Sequence, residues 1–274
     1  MSNEARYGKW SDEKGHSASA LTASVAANTN YPVTNIQTAH PDEIYLSGAN
    51  ISSGVRFVWD HGSAVDIQMM SIHMHNAPAG TVLQIDRNSS NSWPGAMPTT
   101  HTVQTYPNPG LPATIALDLT AVTGYSSLRY SSLFVPALSQ LFGIGTVGWW
   151  STKREDITNV LYPAKSIETH PKRVFSTAYA QNRREYRLGV RHARQPVVFR
   201  FGTAAQWAAF HSLFRSCQDG TNAFFWWRDT TDVGDSMLAR ISEEDLERDL
   251  ANRRVSEVSL TMEQIAMGVA IPTA

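Results

Sequence analysis

Between Val197 and Ile241 the chain spells out a strand, a capped helix and two further strands, and no other stretch restricts the fold so tightly. Thr203-Ala-Ala-Gln206 has the capping-box spacing, in which the Thr hydroxyl and the Gln side chain each satisfy a backbone N–H that a helix start leaves orphaned. Trp207, Phe210, Phe214 and Cys217, with Leu213 beside them, recur at three- and four-residue steps and define one apolar face. Gly220 follows as a stop, so the helix is expected over 203–217. Ala223-Phe-Phe-Trp-Trp-Arg228 then carries no helical cap and is dense in aromatic rings. It reads as a strand buried on both faces, or on one face and an interface.

A length of 274 residues is comfortable for two domains, and a hydrophobic content of 42% is ample for packed cores. Charged residues are 17% of the chain and the formal net charge is −1, so there is no overall pull toward nucleic acid or an anionic membrane. No nucleic-acid specificity is expected. The lone Cys217 lies on the helix's apolar side, which excludes an intrachain disulfide and marks it as a small core residue. Residues 1–20 lack the apolar stretch of a secretory signal, and no run approaches the ~18 apolar residues of a membrane span. The expectation is a soluble protein made in a cytoplasm, without membrane insertion.

Residues 1–20 are polar and read as an extended arm that reaches a neighbour. From Leu21 to about Gly148, short β-prone runs punctuated by Pro, Gly, Asn and Ser argue for a β-sandwich. Val55-Arg-Phe-Val-Trp59 alternates toward a turn at Asp60-His-Gly62, and Val65 to His75 follows as a strand. Alternation places Ile67, Met69, Ser71, His73 and His75 on one face and Gln68, Met70, Ile72 and Met74 on the other. Thr81–Ile85, Ala113–Leu119 and Leu128–Leu141 supply further β segments. Ser151 to Pro171 has no clear periodicity and reads as the domain link. From Lys165 to Arg200 there are nine Lys or Arg residues against Glu168 and Glu185, and Tyr186 to His192 alternates with Arg187 and Arg191 on a common face. Ser236–Ile241 and Ser256–Gln264 complete the second sheet, and Glu243–Asn252 reads as a surface segment of one or two helical turns. The expected organisation is an arm over 1–20, a β-sandwich over 21–165 and a β-sheet domain with one packed helix over 166–274. The chain is thus mainly β and α+β overall.

Four clusters invite chemistry. His73 and His75 share a strand face that can offer two imidazoles to one metal, with Asp60 and His61 as further ligands; hydrogen-bonded polar residues of the sandwich core are the other reading. Asp229, Asp232 and Asp235 invite a calcium reading, but the spacing is wrong for an EF-hand, and turn formation explains the same residues. Gly143-Ile-Gly-Thr-Val-Gly148 fits the letters of a dinucleotide loop, yet Trp149-Trp150 follow where a helix should open; close packing against the two indoles accounts for the glycines. Trp93, in a loop between strands, either stacks on a sugar ring or packs back onto its own domain. No nucleophile elbow is present, so neither catalytic residues, a cofactor nor a resident metal is assigned, and the protein is expected not to be an enzyme.

The helix, the aromatic strand closing in Arg228-Asp229 and the acidic loop to Asp232 resemble the distal tail proteins at the tail tip of long-tailed bacteriophages and gene transfer agents. That resemblance covers roughly the last ~80 residues. It implies a tail-tube-like C-terminal domain, a homo-oligomeric and most simply hexameric ring, and contacts with tube, tape-measure, hub and fibre proteins in a virion made in a bacterial host. Phe224, Phe225, Trp226, Trp227, Arg228, Asp229, Asp232, Arg187 and Arg191 are then the candidate subunit interface, on the argument that one copy would struggle to bury four such rings. Separately, Tyr31-Pro-Val-Thr-Asn-Ile36, Val55 to Gly62 and the strand ending His75-Asn76 look like the galactose-binding-like, discoidin-type sandwich. That likeness implies recognition of a host-surface glycan, with Trp93 as its contact, as the rival function.

Overall fold

The computed structural model describes residues 5–9, 13–38, 43–95, 99–104, 114–119, 127–151, 154–157, 160–161, 167–169, 172–177, 183–188, 192–201, 203–217, 223–227, 236–241, 249–252 and 255–264, and every count below refers to these. The first half contains β1 (Ala5–Lys9), β2 (Ala20–Ala23), β3 (Tyr45–Leu46), β4 (Val55–Val65), β5 (Met69–His73) and β6 (Val82–Asn88). It continues through β7 (Thr99–Thr102), β8 (Thr114–Asp118), β9 (Leu128–Val135), β10 (Gly143–Ile144) and β11 (Val147–Trp150). The second half opens with β12 (Arg154–Ile157), β13 (Val160–Leu161), β14 (Ile167–Thr169), β15 (Lys172–Thr177), β16 (Arg183–Leu188) and β17 (His192–Phe201). The helix α1 (Ala204–Cys217) precedes β18 (Phe224–Trp227), β19 (Ser236–Ile241), β20 (Asp249–Asn252) and β21 (Val255–Gln264).

Strands β2-β4-β9-β6-β7 form an outer sheet and β11-β5-β8 a middle sheet. The C-terminal sheet follows the path β12-β1-β18-β19-β21-β17-β13, with β14 on β17 and β20 on β21. The chain is mainly β, an N-terminal sandwich joined to a sheet domain on which α1 packs through β17 and β19. Alternation along β4 sends Val55, Phe57 and Trp59 inward and Arg56, Val58 and Asp60 outward. The inward set joins Leu83, Ile85, Leu133 and Val135 of the outer sheet and Met70, Ile72, Ile115, Val147 and Trp149 of the middle sheet in one core. Tyr45 meets Phe57 edge-on at 4.9 Å and Trp59 meets Trp149 at 5.4 Å, arrangements that aromatic quadrupoles favour.

The middle sheet is covered on both sides. Its second face, Met69, Ala116 and Trp150, packs with Phe225 and Trp227 of β18, and the Thr114 hydroxyl donates to the Ser236 carbonyl at 2.5 Å. This double cover explains why all five residues of β5 are buried. It also corrects the expectation that one copy cannot hide the aromatic strand. Phe224, Phe225, Trp226 and Trp227 are between 0% and 2% exposed within a single chain. The sandwich does not project away from β18; its middle sheet is the layer that covers Phe225 and Trp227.

Further expectations change for the same reason, long-range pairing. The arm is extended, but β1 inserts between β12 and β18 of its own chain, with Arg6 opposite Trp227 and Lys9 opposite Phe224. The region read as a link contributes β12, β13 and β14 to the C-terminal sheet. Asp60-His61-Gly62 is no turn: β4 runs through it with a shift in register, and Gly62 supplies a φ of +76° that a side chain would resist. Asp249–Asn252 is a strand rather than a helical turn, and 242–248 lie outside the described residues. The helix start holds. Gln206 N–H donates to Thr203 Oγ1 and Thr203 N–H to Gln206 Oε1, both at 3.2 Å, and Phe210 and Phe214 are buried. No helix among the described residues is long and apolar enough to cross a membrane.

Candidate functional site

The outer face of the outer sheet assembles groups that are distant in sequence. Register sets Arg56 and Gln84 on either side of Phe134, and Val58 and Asp86 on either side of Ser132. Arg56 Nη1 donates to Asp86 Oδ2 at 2.9 Å and to Ser132 Oγ at 2.7 Å, while Gln84 Nε2 donates to Asp86 Oδ1 at 3.3 Å. The Asp86 side chain is 0% exposed and that of Arg56 is 18% exposed, so the carboxylate is sealed beneath the guanidinium. That guanidinium also lies 4.8 Å from the Phe134 ring centroid and 5.4 Å from that of Trp93.

Trp93 reaches this spot from the β6–β7 loop. Asn88 shapes the loop from inside, donating from Nδ2 to the Ser92 carbonyl and accepting from Ser89 N–H, each at 2.8 Å. The Trp93 indole N–H donates to Asn91 Oδ1 at 2.8 Å. At Gly95 an added Cβ would fall 2.7 Å from the Arg87 carbonyl and 3.1 Å from the Trp93 ring, so the close approach requires glycine. Of the two sequence readings for Trp93, packing onto its own domain is realised through Arg56. The ring is nonetheless only half-buried, in a loop whose Ser89 to Ser92 are exposed.

A second pair borders the face. Arg129 donates from Nε to Asp60 Oδ1 and from Nη2 to Asp60 Oδ2, both at 2.7 Å, and stands 5.0 Å from the Tyr130 ring centroid. The Arg129 hydrogen bond is the main cause that holds the Asp60 carboxyl at about 2. The arginines and aspartates of the face therefore match one to one. Sequence reasoning missed Arg56, Asp86 and Arg129, although the alternation of Val55, Phe57 and Trp59 does aim Arg56 outward.

Asp60 and His61 diverge instead of sharing a metal. The His61 Nδ1–H donates to the Lys14 carbonyl at 3.1 Å, so Nε2 accepts from the Ser131 hydroxyl at 2.9 Å. Arg87 Nε donates to the same hydroxyl at 3.3 Å, and its Nη2 to the carbonyls of Val65 and Leu128 at 2.7 and 2.6 Å. Burial pushes His61 down to about 4, which keeps it neutral beside Arg87. His73 and His75 are separated by Met74 at φ 70°, which interrupts strand alternation, and His75 accepts from Ala77 N–H at 3.1 Å. No group of three or more His, Cys, Asp or Glu placed to hold a metal occurs among the described residues. The glycine-rich segment is a packing device: a Cβ at Gly148 would sit 2.6 Å from the Trp150 ring, and one at Gly145 would sit 2.5 Å from the His73 carbonyl.

Of the expected interface, Arg228, Asp229, Asp232 and Arg191 lie outside the described residues, as does Asp235. Arg187 stands opposite Arg173 in the β15–β16 hairpin, away from β18 in the pairing order.

No family model matches the chain, and no curated protein matches it. Solved structures do. A Streptococcus pneumoniae fucose binding module aligns over 51% of this chain and 96% of its own, at 8% identity and a TM-score of 0.37. The CBM32 of AlyQ, in complex with 4,5-unsaturated mannuronic acid, aligns over 49% and 96%, at 19% identity and 0.36. Reduced XRCC1, bound to the DNA pol beta catalytic domain, aligns over 48% and 93%, at 12% identity and 0.37. The ligands in those names belong to those proteins, sugars in two cases and a protein in the third. In this chain the sandwich presents a partly exposed indole beside the Arg56–Asp86 pair, and a second pair, Arg129–Asp60, borders the same sheet face.

Proposed function

We propose that the N-terminal sandwich, of galactose-binding-like type, is a glycan-recognition module without catalytic activity, and that its contact surface is the outer face around Trp93. The observation that carries this reading is the Arg56 guanidinium fixed between the Trp93 and Phe134 rings while bonded to Asp86 and Ser132. An aromatic ring offers the apolar C–H face of a sugar a flat partner, and oriented guanidinium and amide groups offer hydroxyls their hydrogen bonds. Groups held in place before binding lose less entropy when a ligand arrives. The test is a glycan array followed by calorimetry on the full chain. Binding that is lost in Trp93→Ala, with thermal unfolding unchanged, supports the reading; a full chain that binds no glycan overturns it.

A second reading, a structural component of a phage tail tip that assembles as a homo-oligomeric ring, is favoured by the β15–β16 hairpin. These strands pair only with each other among the described residues, and they carry Lys172, Arg173, Arg183, Arg184 and Arg187 against Glu185. An open strand edge rich in one charge invites cover by a partner. Light scattering on the full chain distinguishes a ring from a monomer, and a monomer at every concentration counts against assembly.

A further inference from the structure

Among the described residues, Arg56 on the outer face and Arg129 at its border are each already matched by an aspartate. Arg56 pairs with Asp86 at 2.9 Å, and Arg129 grips both oxygens of Asp60 at 2.7 Å. Resting on the glycan reading above, we infer that this surface selects uncharged, hydroxyl-rich sugars and rejects carboxylated ones such as uronic and sialic acids. A sugar carboxylate that took Arg56 for itself would leave Asp86, 0% exposed, as a buried charge without its cation, a loss far larger than one surface ion pair returns. At Arg129 the incoming anion would compete with a bidentate partner and approach the Asp60 charge.

Among the described residues, the remaining outward positions of this sheet carry no charge to attract an anion. Register and alternation place Thr22, Val58, Val82, Gln84, Tyr130 and Thr100 on this face, and the loop above reads Asn88-Ser-Ser-Asn-Ser92. Hydroxyl and amide groups of this kind exchange hydrogen bonds with sugar hydroxyls in both directions, as donors and acceptors. The pairing also holds each guanidinium against a ring and a carboxylate, Arg56 by Phe134 and Asp86, and Arg129 by Tyr130 and Asp60, so the pairs contribute shape without contributing net charge.

The experiment titrates the full chain with matched panels of neutral oligosaccharides (galactose, fucose and N-acetylglucosamine types) and carboxylated ones (glucuronic, mannuronic and sialic types), at low and high salt. Carboxylated sugars are expected to bind at least about tenfold more weakly than neutral ones. Affinity for the neutral ligand is expected to change by no more than about twofold up to ~0.5 M salt, because screening acts only on net charge interactions. Asp60→Asn, which leaves Arg129 uncompensated, is expected to raise affinity for carboxylated sugars. Equal or tighter binding of carboxylated sugars by the wild-type chain overturns the inference and leaves the glycan reading standing. So does an Asp60→Asn chain that rejects them as strongly as before. A chain that binds neither panel overturns the glycan reading itself.

Discussion

The indole of Trp150 lies 6.2 Å from the ring of Phe225 at an interplanar angle of 31°, and through this contact the middle sheet of the sandwich and the C-terminal sheet share a core. Trp150 is held in turn by its indole N–H, which donates to Ser71 Oγ at 2.7 Å. The joint makes the two parts of the chain neighbours through apolar surface, the kind of contact that couples their unfolding.

Phe225→Ala is expected to cost about 3–5 kcal/mol, the usual loss when a large buried ring leaves a cavity. Urea unfolding followed by Trp fluorescence reads the change. A loss below about 1 kcal/mol would show that the two sheets do not depend on this ring.

Gly148→Ala places a Cβ 2.6 Å from the Trp150 ring and 2.7 Å from Ser71 Oγ, inside a pair locked by its own hydrogen bond. The expected cost is about 1–3 kcal/mol, seen as a lowered midpoint of thermal unfolding. A variant as stable as the wild type would mean that the indole moves aside freely.

Arg56→Ala leaves Asp86 buried with only the Gln84 amide, at 3.3 Å, as a remaining side-chain donor. A destabilisation of roughly 3 kcal/mol is expected. Adding Asp86→Ala to the variant should recover part of it, because the stranded charge is then gone; strictly additive losses in a double-mutant cycle would rule out the coupling.

Glu13 gives the protein a distinctive pH response. Its carboxylate accepts Gly15 N–H at 2.7 Å, Trp149 N–H at 2.6 Å and His16 N–H, yet burial outweighs these bonds and pushes it from its ordinary 4.5 up to about 7. The folded state therefore holds the extra proton between those values, and the Glu13 contribution to stability falls by roughly 3 kcal/mol as pH rises through that window. His61 and His75 act in the opposite sense: burial pushes both from 6.5 down to about 4, so their contribution is lost as pH falls through that range. Glu13→Gln should abolish the decline toward pH 7 and steepen the rise between 4.5 and 6.5, read as unfolding free energy against pH. A profile parallel to that of the wild type would disprove the assignment.

Much of the local structure was legible because its causes are local. The capping box at Thr203 and Gln206, the helical face of Phe210 and Phe214, and the inward Val55, Phe57 and Trp59 of β4 all follow from interactions within a few residues. The candidate site was legible only at Trp93, since Arg56, Asp86 and Ser132 meet across strands 30 to 76 residues apart in sequence. The strand face expected to hold both His73 and His75 is interrupted because alternation assumes extended backbone and Met74 departs from it, while the reading of the two as buried polar residues stands.

Composition and periodicity determined that this chain is mainly β, with one capped helix and an aromatic strand that must be buried somewhere. Tertiary structure alone decided where: the middle sheet of the same chain covers Phe225 and Trp227, and the arm at Ala5–Lys9 pairs with β18 in place of a neighbouring copy. Caps and alternation depend on bonds between near residues, whereas the partner of a buried face depends on which distant segments close the largest apolar surface together, and no local pattern encodes that choice.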